Sequence, residues 1–130
     1  TLPLPKGEDK GEGAGALRLL YTYQAFVERV LDGDTLKAEI DLGFNIRIRQ
    51  TLRLRGIDCP EVNTPEGQAA QRFVERELAP CEFITVKSTR TRKEKWGRYL
   101  ADVFYTDKSG KQVYLNNLLL ANGMAVRVRE

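Results

Sequence analysis

The sequence predicts a mainly β (α+β) fold, a five-stranded Greek-key barrel with two helices. Three observations predict it. Residues 21–40 are rich in β-branched and aromatic side chains and are broken once, by Asp-Gly-Asp. Residues 46–54 alternate between apolar and basic side chains. A helical pattern then separates these three strands from two further strands, and a second helical pattern follows them.

The first two strands are predicted between Tyr21 and Ile40, joined at a tight turn over residues 32–34. In the third strand, the residues that fall on one face are Ile46, Ile48, Leu52 and Leu54, and those on the other are Arg47, Arg49, Arg53 and Arg55. Gln50 interrupts the apolar face, which suggests a bulge there. The row of arginines is compatible with a phosphate-binding surface and equally with an ordinary soluble sheet face.

The first helix is predicted within residues 63–78, with Thr64 as its N-cap and Pro65 in its first turn. Its apolar stripe is predicted to consist of Ala69, Phe73 and Leu78. Strands follow at residues 81–89 and 98–106, and a short apolar helix at 113–123 is closed by Gly123. Three strands, a helix, two strands and a helix are typical of a small barrel of the oligonucleotide/oligosaccharide-binding type.

The length of 130 residues predicts one domain. Residues 1–16 are predicted to be a flexible linker rich in Gly, Lys and Glu, and residues 17–130 the folded domain. We expect the chain to be a mature form or a domain of something longer. No run approaches the roughly 20 apolar residues of a spanning helix, so no membrane partner is predicted. No signal-peptide pattern is visible, and the compartment is left open.

Charge and composition narrow the possible chemistry. The net charge is +3, and a stretch of twelve residues carries one acid against Lys87, Arg90, Arg92, Lys93, Lys95 and Arg98. This stretch is either a solvated loop or a patch for a polyanion such as nucleic acid. The absence of histidine excludes His-based general base catalysis, a Ser-His-Asp triad and ordinary zinc chemistry. A disulfide between Cys59 and Cys81 is possible but not indicated.

Acidic and basic residues at the predicted strand ends suggest a site. Asp34 and Asp58 could converge on one hard cation, calcium or magnesium, although Asp-Gly-Asp is also good turn chemistry. Arg53 and Arg98 could bind a phosphate bidentately. Glu61 could position or deprotonate water, although two acids on a turn are often merely solvated. Together these groups would be sufficient to hydrolyse a phosphodiester.

Three motifs in order carry a resemblance to a known family: LDGDTLKAEI at 31–40, TLRLRGIDCPE at 51–61 and KWGRYLADVFY at 95–105. From about residue 26 to 128 the chain resembles the staphylococcal nuclease (thermonuclease) family. The resemblance implies that Asp34 and Asp58 are calcium carboxylates and that Cys59 supplies a backbone carbonyl ligand. It also implies that Arg53 and Arg98 bind phosphate and that Glu61 orients or activates water. The implied activity is calcium-dependent endo- and exonucleolytic cleavage of DNA and RNA that leaves 3′-phosphates.

The chain also departs from that family. The segment after Glu61 is short and lacks the family's lysine, and Arg129 and Glu130 stand where an aromatic pair flanks the nucleotide. The family's third, C-terminal helix is absent from this sequence. Lys95 and Trp96 are predicted to contact substrate; Trp96 replaces a tyrosine and could stack on a base or pack on the sheet.

Two other classes of function remain open at this point. The domain could be a catalytically weak module that binds nucleic acid within a larger protein, or a scaffold or oligomerisation piece. Its partners could accordingly be other domains of a longer chain or a second copy in a homodimer. The leucines at 17, 19 and 20 would cover an exposed barrel flank, by folding back or against a second copy, unless they merely extend the first strand.

Overall fold

A computed structural model of the chain describes residues 20–93 and 97–129. Several predictions fall on other residues and lie outside the described part. These are the linker at 1–16, the domain start at 17, the leucines at 17 and 19, and the substrate contacts of Lys95 and Trp96. The limits of the domain therefore stay a prediction.

The described residues form eight strands and two helices. In chain order they are β1 (Thr22–Asp32), β2 (Thr35–Gly43), β3 (Ile46–Leu54), β4 (Ile57–Asp58), α1 (Pro65–Leu78), β5 (Ile84–Lys93), β6 (Tyr99–Thr106), β7 (Gln112–Tyr114), α2 (Leu115–Ala121) and β8 (Val126–Arg127). The predicted order of three strands, helix, two strands and helix is confirmed. The sequence analysis missed the short strands β4, β7 and β8.

The main sheet closes into a barrel. Its strand order is β3-β2-β1-β5-β6-β7, and β3 also pairs in parallel with β6, with Leu52 opposite Tyr99 and Leu54 opposite Ala101. This extra pairing joins β1, β2, β3, β5 and β6 into a closed five-stranded barrel, so the predicted fold class is confirmed. Strand β7 extends the sheet beyond β6, while β4 and β8 form a separate two-stranded sheet.

The barrel interior and the inner faces of both helices form one apolar core. From β2 it takes Leu36, Ala38 and Ile40, which alternate with residues that face outward. Helix α1 packs on β1, and α2 contributes the fully buried Leu115 and Leu119. None of the helices in the described part of the chain is long and apolar enough to cross a membrane.

The predicted apolar stripe of α1 is confirmed at Leu78, but its phase differs over the first half of the helix. Ala69 is exposed and Phe73 is only half-buried, whereas the buried positions are Gly67, Ala70, Val74 and Leu78. The N-cap sets this phase, because the Thr64 hydroxyl accepts a hydrogen bond from the Gly67 N–H at 3.0 Å and turns Gly67 toward the Glu61 carbonyl. The helix start itself, with Thr64 as N-cap and Pro65 as first residue, is confirmed.

The predicted features of β3 are confirmed only in part. Leu52 and Leu54 are buried, but Ile46 is 52% and Ile48 is 38% exposed, because the β2–β3 hairpin extends past the core. The bulge predicted at Gln50 is wrong, since Gln50 pairs regularly with Ala38. The register shifts lie in β1 and at the hairpin end of β2.

Candidate active site

One open cavity of about 570 Å³ brings the predicted chemistry together. All six residues predicted as catalytic or metal-binding line it, namely Asp34, Arg53, Asp58, Cys59, Glu61 and Arg98. They come from the β1–β2 turn, the end of β3, β4 and the segment that follows it, and the residue just before β6. The cavity therefore lies where several strand ends of the barrel meet.

Asp34 is anchored by its neighbours and is only 5% exposed. Its Oδ1 accepts a hydrogen bond from the Thr35 hydroxyl at 3.0 Å, and its Oδ2 accepts one from the Cys59 N–H at 2.8 Å. Its backbone carbonyl accepts from the Leu54 N–H at 2.8 Å. The carboxylate thus joins the β1–β2 turn to the segment after β4 and holds the two predicted ligand positions in one place.

The turn before Asp34 fits only because Gly33 has no side chain. A Cβ atom there would lie 2.8 Å from the Ala70 Cβ and 2.9 Å from the Cys59 Sγ. Such distances are far below ordinary carbon and sulfur contacts. The Asp-Gly-Asp sequence therefore forms a tight turn, as one of the two interpretations predicted. Its glycine also lets the turn pack directly against α1 and Cys59.

Arg53 connects the two predicted metal carboxylates. Its guanidinium forms an ion pair with Asp34 Oδ2 at 2.5 Å and another with Asp58 Oδ1 at 3.1 Å. The Arg53 and Asp34 side chains are only 13% and 7% exposed, so water screens their pair little, whereas the Asp58 side chain is 55% exposed and its pair with Arg53 is screened more. Two neighbouring carboxylates repel each other, and a positive group between them offsets that repulsion. Arg53 thereby allows Asp34 and Asp58 to share one site.

Asp32 is a site residue that the sequence analysis did not single out. It lines the same cavity, and its pKa is raised above the usual range by burial and then by the Asp34 charge, against the lowering effect of Arg98 and Arg53. The available signal was its place at the other end of the Asp-Gly-Asp turn. A third carboxylate adds negative charge to the site when it is ionised, so more positive charge is needed there to offset the repulsion.

Cys59 contributes no thiolate to the cavity. Burial, followed by the Asp34 charge, raises the pKa of the Cys59 thiol to about 12, so the sulfur is protonated at neutral pH. Both Cys59 and Cys81 are free thiols, and the disulfide that sequence left possible is not formed. The thiolate is therefore no candidate ligand, and any cation held by this segment would be held through oxygen atoms.

The turn that carries Glu61 is rigid. The Glu61 carbonyl accepts hydrogen bonds from the Thr64 N–H at 3.0 Å and from the Thr64 hydroxyl at 2.6 Å. Because Thr64 is also the N-cap of α1, the helix start holds the backbone of Glu61 in place. The Glu61 side chain itself is exposed and lines the cavity.

A buried asparagine that sequence reasoning missed fixes the segment between β3 and β4, which leads to Asp58. Asn116 is 2% exposed; its amide N–H groups donate to the carbonyls of Arg55 at 2.9 Å and Ala101 at 3.1 Å. Its side-chain oxygen accepts from the Val103 N–H at 3.1 Å. These bonds attach the end of β3, two residues before β4, to β6 and α2. No sequence signal marked Asn116, since its partners lie far away in the chain.

The arginine row of β3 is mostly paired with acids. Arg47 forms an ion pair with Glu39 at 3.1 Å, Arg49 with Glu28 at 3.0 Å, and Arg55 with Asp102 at 3.0 Å. Arg53 lies in the cavity, and Arg98, the residue just before β6, lines the same cavity. Of the row, the structure therefore brings Arg53 to the candidate site.

The oxygen atoms at the site suit a hard cation such as calcium. Asp34, Asp58 and the Cys59 carbonyl offer the carboxylate and carbonyl oxygens that calcium takes as ligands, and the Cys59 sulfur is protonated. Among the described residues, however, no three His, Cys, Asp or Glu side chains lie close enough together to hold a metal ion by themselves. Two carboxylates completed by a backbone carbonyl and water agree with both observations.

Residues 51–130 match the family described as staphylococcal nuclease homologue. The chain belongs to this family. The match includes Arg53, Asp58, Glu61 and Arg98, and the resemblance seen in the sequence motifs is confirmed.

Two relatives extend the similarity toward the N-terminus. The chain is 32% identical over 114 residues to Endonuclease YhcR of Bacillus subtilis, covering 79% of this chain and 9% of that protein. It is 30% identical over 126 residues to the uncharacterized protein MJ1439 of Methanocaldococcus jannaschii, covering 79% of this chain and 58% of that protein. The chain thus spans only part of each relative. The family description and the name of the Bacillus subtilis relative both indicate a nuclease family.

Proposed function

We propose that this domain is a calcium-dependent nuclease that hydrolyses phosphodiester bonds of DNA and/or RNA and leaves 3′-phosphates. The observation that supports it is the cavity in which Arg53, Arg98 and Glu61 lie together with Asp34 and Asp58. A domain of this family that had lost its activity would be expected to lack part of this set. A module that binds nucleic acid without cleaving it is therefore the less favoured function.

Asp34, Asp58 and the Cys59 carbonyl are the groups proposed to hold calcium. A calcium ion bound there would supply positive charge to neutralise the phosphate and a ligand position for water. Because Arg53 pairs with the same two carboxylates, its single positive charge offsets part of their negative charge when no cation is bound. A phosphate bound close to those carboxylates would also lie close to the Arg53 guanidinium.

The remaining residues have distinct roles in the proposed hydrolysis. Arg53 and Arg98 donate paired hydrogen bonds to the non-bridging oxygens of the phosphate and stabilise the charge that builds on them. Glu61 accepts a proton from the attacking water as the water oxygen bonds to phosphorus. The bond from phosphorus to the 5′-oxygen breaks, and that oxygen takes up a proton from solvent. The products are a 3′-phosphate and a 5′-hydroxyl.

Metal dependence tests the proposal directly. Purified protein incubated with plasmid DNA and with single-stranded RNA should cleave in calcium and should stop in chelator. Magnesium should support slower turnover, because it demands near-ideal octahedral geometry and gives up water reluctantly. The end groups of the products should be 3′-phosphates. Equal cleavage in chelator would contradict the calcium assignment, and binding without any product in calcium would favour the binding module.

The proposed arginine clamp predicts that lysine cannot replace either arginine. Arg53→Lys and Arg98→Lys should each lower kcat about 100-fold or more, because an ammonium cannot donate two parallel hydrogen bonds to a phosphoryl group. Arg72→Lys is the matched control, since Arg72 is an exposed residue of α1 whose hydrogen bond goes to Gln68. Rates near wild type for both site variants would refute the clamp.

A further inference from the structure

Two positive side chains face each other on the outer surface of the barrel. Arg29 of β1 lies directly opposite Lys37 of β2, and Lys37 lies opposite Thr51 of β3. Both Arg29 and Lys37 are exposed, and neither forms an ion pair with any acid among the described residues. Like charges placed opposite each other across a ladder destabilise a sheet. This arrangement therefore lowers the stability of the sheet, and the contacts of the described residues do not explain why the fold has it.

The acidic side chains next to this pair already form ion pairs with other arginines. Glu28 pairs with Arg49 at 3.0 Å, and Glu39 pairs with Arg47 at 3.1 Å. These two acids are thereby paired with other arginines, and a third acid on the outer face of β2, Asp41, accepts a hydrogen bond from the Gly43 N–H. Arg29 and Lys37 contribute an excess of positive charge to the face of β1, β2 and β3.

The pair is continuous with the candidate active site. Thr51 and Arg53 point to the same face of β3 and are two residues apart, which is about 7 Å along a strand. A groove of about 330 Å³ lies next to them, and its lining is Glu28, Lys37, Arg49, Gln50, Thr51 and Gly97. Gly97 directly precedes Arg98 in the chain. The groove therefore begins beside both residues of the phosphate clamp.

We propose that Arg29 and Lys37 bind the phosphate backbone of a nucleic-acid strand beyond the phosphate held at Arg53 and Arg98. This inference rests on the proposed function for the choice of ligand. A strand with its scissile phosphate in the cavity carries further negative charges at regular steps, and the pair lies in their path along β3. The groove lining contains no apolar side chain, so it lacks the anchors that a protein partner would use.

The test measures binding without cleavage. A Glu61→Gln parent in calcium is titrated with a single-stranded 12-nucleotide DNA at several salt concentrations. Each phosphate contact adds about 0.7 to the slope of log affinity against log salt for a single strand. Lys37→Ala should lower the slope by about 0.7, and the Arg29→Ala, Lys37→Ala double variant by about 1.4. Lys108→Ala, at an exposed turn between β6 and β7, removes the same charge and should leave the slope unchanged.

A charge reversal separates binding from folding. Lys37→Glu places an acid opposite Arg29, so the melting temperature should rise while affinity for the DNA falls more than in Lys37→Ala. The proposal would be overturned if the double variant and Lys108→Ala had the same salt slope. It would also be overturned if the Glu61→Gln parent did not bind the DNA, or if the variants lost affinity only in proportion to a lowered melting temperature. Cleavage by the wild-type protein in calcium reports separately on the proposed function, because the slope does not depend on catalysis.

Discussion

Glu61→Gln is expected to lower the rate of phosphodiester hydrolysis by roughly 100-fold or more, the lower end of what a positioned general base contributes. Glutamine has nearly the shape of glutamate but cannot take up the proton of the attacking water. The backbone carbonyl of residue 61 still accepts from Thr64, so the turn and the start of α1 should stay intact. The melting temperature and calcium binding should therefore remain close to those of the wild type.

Asp34→Ala is the contrasting variant. It removes the oxygens that accept from the Thr35 hydroxyl and the Cys59 N–H, and it breaks the ion pair of Arg53 with Asp34 while leaving the one with Asp58. Calcium binding and stability should both fall, because the buried donors lose their acceptor. Calorimetry with calcium, thermal unfolding and single-turnover kinetics distinguish the two variants. Loss of calcium binding in Glu61→Gln together with normal binding in Asp34→Ala would reverse the assigned roles.

Local patterns in the sequence predicted much of the fold and suggested which residues share the cavity, and the resemblance of three motifs to a known family strengthened that suggestion. The alternation in β3 and the turn residues of Asp-Gly-Asp depend on neighbours in the chain, and strand ends in a closed barrel necessarily approach one another. Asp34, Asp58 and Arg53 could therefore be placed together before any contact was known. The N-cap at Thr64 is likewise a local signal.

Features that depend on long-range packing could not be predicted. Periodicity gave α1 an apolar stripe at Ala69 and Phe73, but the close fit of Gly67 to the Glu61 carbonyl rotates the buried face onto Ala70 and Val74. Asn116 bonds to Arg55 across 61 positions of the chain. The arginine row of β3 suggested a phosphate surface, whereas acids on other segments pair with most of it. Which charges are left over is decided only by the folded arrangement.

Gly67→Ala is expected to reverse the usual effect of alanine in a helix. Alanine normally stabilises a helix interior by up to about 1 kcal/mol relative to glycine. At Gly67, however, a Cβ atom would overlap the carbonyl group of Glu61 and lie 2.8 Å from the Pro60 carbonyl oxygen. Backbone atoms cannot move aside as the end of a side chain can. The free energy of unfolding should therefore fall by about 1–3 kcal/mol, as it does for overpacked cores.

The same substitution should also reduce catalysis, because the segment it displaces carries Glu61. Relief of the overlap requires either the start of α1 or the Pro60–Glu61 backbone to shift, and a misplacement of about 1 Å can cost roughly 100-fold in rate. Ala69→Gly is the matched control: Ala69 is exposed two residues farther along α1, so glycine there should cost about 1 kcal/mol of stability and leave kcat unchanged. Chemical denaturation and kcat in calcium are measured on both variants. A Gly67→Ala protein as stable and as active as the wild type would mean that the helix start does not hold the Glu61 turn in place.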